Sequence, residues 1–531
     1  MPAAFLGSFG QSLYRVFSFS FSYTFYLYLL FLVFAGTALR QTRPLASHFR
    51  DLPRKYLLFL GLVLTVSFAL RFLVIEHGFC VFNDELYFLN VSRNLYHNHA
   101  YGMTLSGSVT SPAEIAFYNR PGAWPFLLSL FYRLFGPSQQ SAFAFSALLG
   151  SLMPALVFAA SWLLFHDAKA ACWASGLAAL QPLYLEFSGC AASDVPTLFF
   201  MLLGLVLWLA YLKDRSKGLL YSLGMTLVWT SYMRPEYLLA VSALIVFVLK
   251  DTRMEKTAKE LWLYLMTAFS LPLLVQLLPM LKAESAAAGG GFFWNPVFFL
   301  RHICGNILFF FHPFRGSSLF WFPALLGMWS CWRRQRRAFW ILSALFLALI
   351  LLTSAYFAAD FNKGAIRYGL PASIPLLILA AQGIRYALSF LRKELRAAAA
   401  LLLSLAFFFQ SMADMQDWKS FRKNRFYQEI SSLKDISRRY FDKILIIVAD
   451  EPAAVTTLLD DRPVIKTNLF LSKEPPYPRA YFVKLGARED PRAPDGRKAL
   501  QTHYQMRVWQ DIRIPPNAHF VIAEILLREK Q

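Results

Sequence analysis

The chain has 531 residues, of which 57% are hydrophobic, 17% aromatic and only 16% charged. A soluble chain of this size would need several domains and more charge, and here the apolar residues come in runs long enough to cross hydrocarbon, so the composition describes a polytopic α-helical membrane protein. The formal net charge of +21 is divided among short loops, which argues against a nucleic-acid partner and reads as a topology signal: Lys and Arg face the cytoplasm and its anionic lipid.

An aromatic-rich run over residues 19–39 comes first. Gly36-Thr37-Ala38 resembles a cleavage site, but the run is long for a signal peptide and is preceded only by Arg15, so it is read as an uncleaved helix. With the basic loop of Arg40, Arg43, Arg50, Arg54 and Lys55 it makes an N-terminal unit, residues 1–55. Residues 56–75 can cross the bilayer and lead into Phe82-Asn83-Asp84-Glu85-Leu86-Tyr87. Two adjacent carboxylates at a membrane surface are costly to desolvate, so they are either solvated or employed. One reading makes Asp84 an N-cap and Glu85 a complement to the helix dipole. A stripe of Tyr87, Phe88, Val91 and Leu95 predicts an interfacial helix behind them.

The loop ends in Tyr118-Asn119-Arg120-Pro121, and the apolar segment 124–135 that follows is short for a span. Further candidate spans are 141–165, 170–187, 195–212, 219–233, 237–249, 261–281, 319–332, 339–357, 370–390 and 397–409. If 124–135 only enters the interface, the first basic loop shares one face with Lys213/Arg215/Lys217, Lys250/Arg253/Lys256/Lys259, Arg333/Arg334/Arg336/Arg337 and Arg392/Lys393/Arg396. The positive-inside rule then gives about twelve spans, both termini outside, and the Asp84-Glu85 loop outside with them. The transmembrane region is residues 56–413. From residue 414 charge rises and short β-like runs appear at 443–448, 463–465, 481–483 and 519–523, which predicts a small α/β outer domain, 414–531. The Ala286-to-Gly291 patch reads as a hinge or lid in an outer loop, and Asn90-Val91-Ser92 is a glycosylation sequon.

The five cysteines contain no CxxC pair; Cys80, Cys190 and Cys304 fall on the outer side, where one disulfide is open to them. The same face collects Arg120, Asp194, Arg234, Glu236, Arg301, His302, His312, Arg315, Asp360, Lys363, Arg367 and Tyr368. Taken singly these are caps and snorkelling helix ends. Together they are what a site for an anionic, lipid-borne substrate requires.

The order of motifs resembles the GT-C glycosyltransferases, in the branch of protein O-mannosyltransferases and bacterial aminoarabinose transferases. It runs from the Asp84-Glu85 pair through Asn119-Arg120-Pro121-Gly122, Tyr132-Arg133-Leu134-Phe135-Gly136, Ser193-Asp194-Val195-Pro196 and Met233-Arg234-Pro235 to Ala365-Ile366-Arg367-Tyr368-Gly369-Leu370-Pro371. Two departures stand out: Arg120-Pro121-Gly122 where the family often has Lys-Pro-Pro, and the added first helix. The resemblance implies an inverting transfer of a sugar from a polyprenyl-phosphate donor to an acceptor hydroxyl of a lipid, protein or glycan, on the periplasmic or extracellular side of a bacterial plasma membrane. It implies Asp84 as the general base with Glu85 in support. Arg120 and Arg367 would meet the phosphate, with Arg234 and Tyr368 completing the binding set. Asp194 would bind sugar, acceptor or, if a divalent metal is used, share the ion with Asp84. The histidines form no metal motif. The alternative is a transporter or flippase of lipid-linked sugars, which would place its ionisable residues near the bilayer midplane.

Overall fold

The computed structural model describes residues 20–80, 82–118, 120–250, 256–287, 296–311, 321–354 and 366–422, and the strands at 447–449, 464–466, 479–484, 504–514 and 518–527. Seven helices among these are long and apolar enough to cross a membrane, in segments Ser22–Ser47, Arg54–Val74, Gln139–Phe165, Asp194–Asp214, Arg336–Ser354, Arg367–Ser389 and Lys393–Asp414. The chain is therefore a multi-pass membrane protein. The 32-residue helix Lys256–Ala287 contains the expected 261–281 span.

One expected span is divided, and the segment 124–135 is as short as expected. Residues 170–187 are two helices, Ala168–Leu180 and Pro182–Ser188. Pro182 biases Gln181 to an extended backbone and supplies no N–H, so the chain turns there on its way to the site. Helix Ala123–Phe135 has 13 residues, which at 1.5 Å each is about 20 Å and too short to span. Arg54–Ala69 ends in a π-helical turn, Leu70–Val74, and then runs extended from Ile75.

A close helix crossing lies between Trp321–Arg334 and Leu370–Ser389. Gly327 and Gly383 permit it: a Cβ at Gly327 would strike the Leu379 carbonyl oxygen, and one at Gly383 the Pro323 carbonyl oxygen. Backbone cannot swing aside as a side chain can. Gly383→Ala is expected to cost about 1–3 kcal/mol by overpacking, read as a lower unfolding temperature in detergent, and an unchanged temperature would contradict this crossing.

Basic loops gather at one end of the bundle. His48 meets Asp214 at 3.0 Å, Arg385 meets Asp167 at 3.1 Å, and the Arg334 guanidinium lies 5.1 Å from the centre of the Tyr386 ring. At the other end the loop after residue 75 forms helix Phe82–Asn98 and a hairpin, β1 (Gly102–Gly107) and β2 (Pro112–Phe117). Buried amides fasten helix to hairpin: Asn90 Oδ1 accepts from Thr104 N at 2.9 Å, and Asn94 Nδ2 donates to the Gly102 carbonyl at 2.9 Å. Asn90 is fully buried, so the sequon is not presented to a glycosylating enzyme.

Among the described residues the hairpin belongs to a seven-stranded sheet with β3 (Ile447–Ala449), β4 (Val464–Lys466), β5 (Arg479–Lys484), β6 (Tyr504–Ile514) and β7 (Ala518–Leu527), in the order β2-β1-β4-β3-β5-β7-β6. β3 is parallel to β4 and β5, and the remaining pairs are antiparallel. The predicted C-terminal strands are present. The sheet also takes in the loop that carries Asp84, through Ser106 and Gly107 opposite Ile465 and Val464. The expected hinge at 286–291 and the residues His312, Arg315, Asp360 and Lys363 lie wholly or largely outside the described residues.

Candidate active site

Asp84 lies in the first turn of helix Phe82–Asn98, past the N-cap position that its sequence also suggested. Its carboxylate faces two arginines. Oδ2 accepts from Arg367 Nη1 at 2.8 Å, and Oδ1 is 3.7 Å from Arg120 Nη1. Asp84 and Arg367 are mostly shielded, with side chains 21% and 20% exposed, whereas Arg120 is 47% exposed. Burial pushes the Asp84 carboxyl up. Arg367 above all, with Arg120 and Arg234, outweighs that and holds it below the usual carboxylate range.

From Arg367 the array continues through Tyr368. Arg367 Nη2 donates to the Tyr368 hydroxyl at 3.2 Å, and the guanidinium carbons of Arg367 and Arg234 lie 5.0 and 5.2 Å from the centre of the Tyr368 ring. Arg234 in turn donates to Asp194 Oδ1 and lies 3.4 Å from Glu236 Oε1. Asp194 is buried at the start of helix Asp194–Asp214, and its Oδ2 has no hydrogen-bond partner among the described residues. Asp84, Arg120, Asp194, Arg234, Arg367 and Tyr368, expected from four separate loops, thus form one continuous array.

Glu85 departs from the expectation of a catalytic neighbour. It is fully buried, and both oxygens are engaged by backbone: Oε1 accepts from Cys80 N at 2.6 Å and Oε2 from Ala191 N at 2.8 Å. Cys80 precedes the Asp84 helix and Ala191 precedes Asp194, so Glu85 braces the two loops that carry the acids. Glu85→Gln would set an amide NH2 against a backbone N–H, costing about 1–3 kcal/mol. The expected result is a lower unfolding temperature, and equal thermal stability would refute the bracing role.

Three further features escape the sequence reading. Tyr118 is buried, with a hydroxyl that has no hydrogen-bond partner among the described residues and with Arg120 and Asp84 as electrostatic neighbours. Burial raises its phenol above the ordinary range and keeps it a neutral hydrogen-bonding group, and its position two residues before Arg120 is the signal that could have found it. Gly122 explains the departure from Lys-Pro-Pro. A Cβ there would come within 2.7 Å of the Tyr101 ring and 2.9 Å of the Tyr23 ring, whose centroids are 4.6 Å apart. Lastly, the thiols of Cys80 and Cys190 and a Glu85 oxygen lie within 4.8 Å of one another. No such convergence joins Asp84 and Asp194 among the described residues. Each of those carboxylates faces a guanidinium, an arrangement that does not fit a divalent cation shared between them.

The structure is similar to that of ArnT from Cupriavidus metallidurans bound to undecaprenyl phosphate, with a TM-score of 0.53 and 14% identity over 88% of this chain and 97% of that one. It is also similar to the archaeal oligosaccharyltransferase AglB from Archaeoglobus fulgidus in complex with an inhibitory peptide and a dolichol-phosphate, with a TM-score of 0.51 and 14% identity over 89% of this chain and 74% of that one. Residues 119–279 match the model of the dolichyl-phosphate-mannose-protein mannosyltransferase family. The chain shares the fold of these two membrane proteins, and under a third of its length matches that family's model. Comparison with curated proteins gives no match. The matched segment begins one residue before Arg120 and contains Asp194 and Arg234. Asp84 and Arg367 join them from outside it.

Proposed function

We propose that the chain is an inverting glycosyltransferase that moves a sugar from a polyprenyl-phosphate donor to an acceptor hydroxyl of a lipid, protein or glycan. The observation that carries the reading is the array Asp84–Arg367–Tyr368–Arg234–Asp194 at one end of a GT-C helix bundle. The undecaprenyl phosphate of ArnT and the dolichol-phosphate of AglB support a lipid phosphate as the donor's carrier.

As the acceptor hydroxyl attacks C1, its proton goes to Asp84, the ionised acid that can accept it. Charge grows on the leaving lipid phosphate, and Arg367 and Arg120 stabilise it. Both arginines face Asp84, so any guanidinium contact that the phosphate takes is withdrawn from the acid and leaves it more basic. Asp194, with a spare oxygen and held by Arg234, suits a sugar or acceptor hydroxyl. Basic loops at the opposite end of the bundle support placing the site on the non-cytoplasmic side. The ionisable residues of the array lie at a helix-bundle end, as transfer at the headgroup level requires, and not at the midplane as a transporter would have them.

Mass spectrometry of lipid-linked and envelope glycans tests this reading. Cells in which Asp84→Asn replaces the wild type should accumulate a polyprenyl-phosphate sugar and lack one glycosylated product. Identical profiles would overturn it.

A further inference from the structure

At the end of the bundle opposite the candidate site, the described residues form a cavity. Helices Arg54–Ala69, Ala168–Leu180, Leu370–Ser389 and Lys393–Arg422 enclose about 550 Å³, within the usual range for ligand sites. Its walls are apolar, formed by Phe59, Trp173, Leu177, Leu180, Leu401 and Phe407. Its mouth is cationic, formed by Lys55, Lys169, Arg385 and Arg396. Asp167 offsets one of these charges by pairing with Arg385 at 3.1 Å, so four cations less one carboxylate leave a net +3. Arg396 spends Nε and Nη2 on the Leu391 and Ser389 carbonyls, which fixes the guanidinium at the rim.

The cavity is far from the sugar site. Arg367 and Arg385 stand at the two ends of one membrane span, and their 18-residue separation is about 27 Å, close to the hydrocarbon thickness. It also opens to lipid and not into the bundle. The Arg54–Val74 and Lys393–Asp414 spans are only 22% and 11% buried, and Leu401 and Phe59 are exposed on them. An apolar slot that faces acyl chains and is capped by cations at the interface is complementary to one chemistry: a phosphate head with a hydrocarbon tail.

We propose that this groove holds an anionic phospholipid from the leaflet opposite the sugar site. Its phosphate sits among Lys55, Lys169 and Arg396, and an acyl chain lies along Trp173 and Leu177. A zwitterionic lipid would bring its own ammonium into the cationic mouth and is disfavoured there. A polyprenyl phosphate shares the head chemistry, but its transfer site is at the other face.

The test uses the full-length protein purified in detergent and needs no sugar transfer, so it stands or falls separately from the proposed activity. Native mass spectrometry would compare retention of phosphatidylglycerol, phosphatidylcholine and a polyprenyl phosphate by wild type and by Lys169→Gln/Arg396→Gln. Wild type should retain phosphatidylglycerol about tenfold or more over phosphatidylcholine, and the double variant should lose most of that preference. Equal retention of the two phospholipids, an unchanged preference in the variant, or retention of polyprenyl phosphate that the double variant loses would each overturn the proposal. A second measurement needs no charge change: phosphatidylglycerol with brominated chains should quench a component of wild-type fluorescence that Trp173→Phe lacks. Quenching identical in both proteins would also overturn it.

Discussion

Asp84→Asn is expected to fold, to bind the donor, and to transfer sugar at least about a hundredfold more slowly than wild type. Asn is nearly isosteric with Asp and caps a helix about as well, so loss of a cap cannot produce that effect. The structure narrows the alternatives further, because Asp84 is inside the first turn with its oxygens on Arg367 and Arg120. The amide cannot take the hydroxyl proton. The same arginines set the pH dependence. Their charges hold the Asp84 carboxyl below its ordinary range, so the basic form persists until the pH falls through that depressed value. The acid limb of kcat/KM, which reports the free enzyme, should therefore lie below the ordinary aspartate value of about 3.9. With the donor phosphate drawing on Arg367, the acid limb of kcat should lie higher. A kcat/KM profile with an acid limb near pH 6 would contradict this account of the base.

Arg367→Ala should lower donor binding or turnover by roughly ten- to more than a hundredfold, as expected for about 1.5–3 kcal/mol lost with a charge-assisted hydrogen bond. Arg367→Lys should retain part of the activity. Lysine restores the charge but cannot span both Asp84, at 2.8 Å from Nη1, and the Tyr368 hydroxyl, at 3.2 Å from Nη2. Arg120→Ala is the useful comparison. That side chain is more exposed and stands 3.7 Å from Asp84, so its loss should be the smaller. Kinetics and donor affinity of the three purified variants, measured side by side, check the ranking. Near-normal activity of both Arg367 variants would remove this residue from the site.

The helical architecture was legible because apolar runs of bilayer length have few other uses, and the basic loops ordered them. The meeting of Asp84, Arg120, Asp194, Arg234 and Arg367 was legible because each is a charge beside an apolar run on a separate stretch of the same predicted face. Glu85 shows where that logic ends. Adjacency to Asp84 suggests shared chemistry, yet neighbouring residues on a helix point about 100° apart, and Glu85 turns to the Cys80 and Ala191 amides. The hairpin at 102–117 was hidden for another reason. Its partner strand, β4, lies more than 340 residues away at Val464–Lys466, and no local pattern announces such a pairing. Strand β6 does alternate, with Tyr504, Met506 and Val508 separated by polar residues, but a search for continuous apolar runs passes over it. The split of 170–187 rested on one residue, Pro182, whose effect on Gln181 a hydropathy window averages away.

The most direct measurement is the release of free polyprenyl phosphate from a polyprenyl-phosphate sugar by purified protein in liposomes, with donor binding measured in parallel. Wild type should release the lipid phosphate only when an acceptor is supplied, and form a product of inverted configuration at C1. Asp84→Asn should bind the donor equally and release at least about a hundredfold less. Movement of the intact donor across the bilayer without release, or full release by Asp84→Asn, would contradict the account.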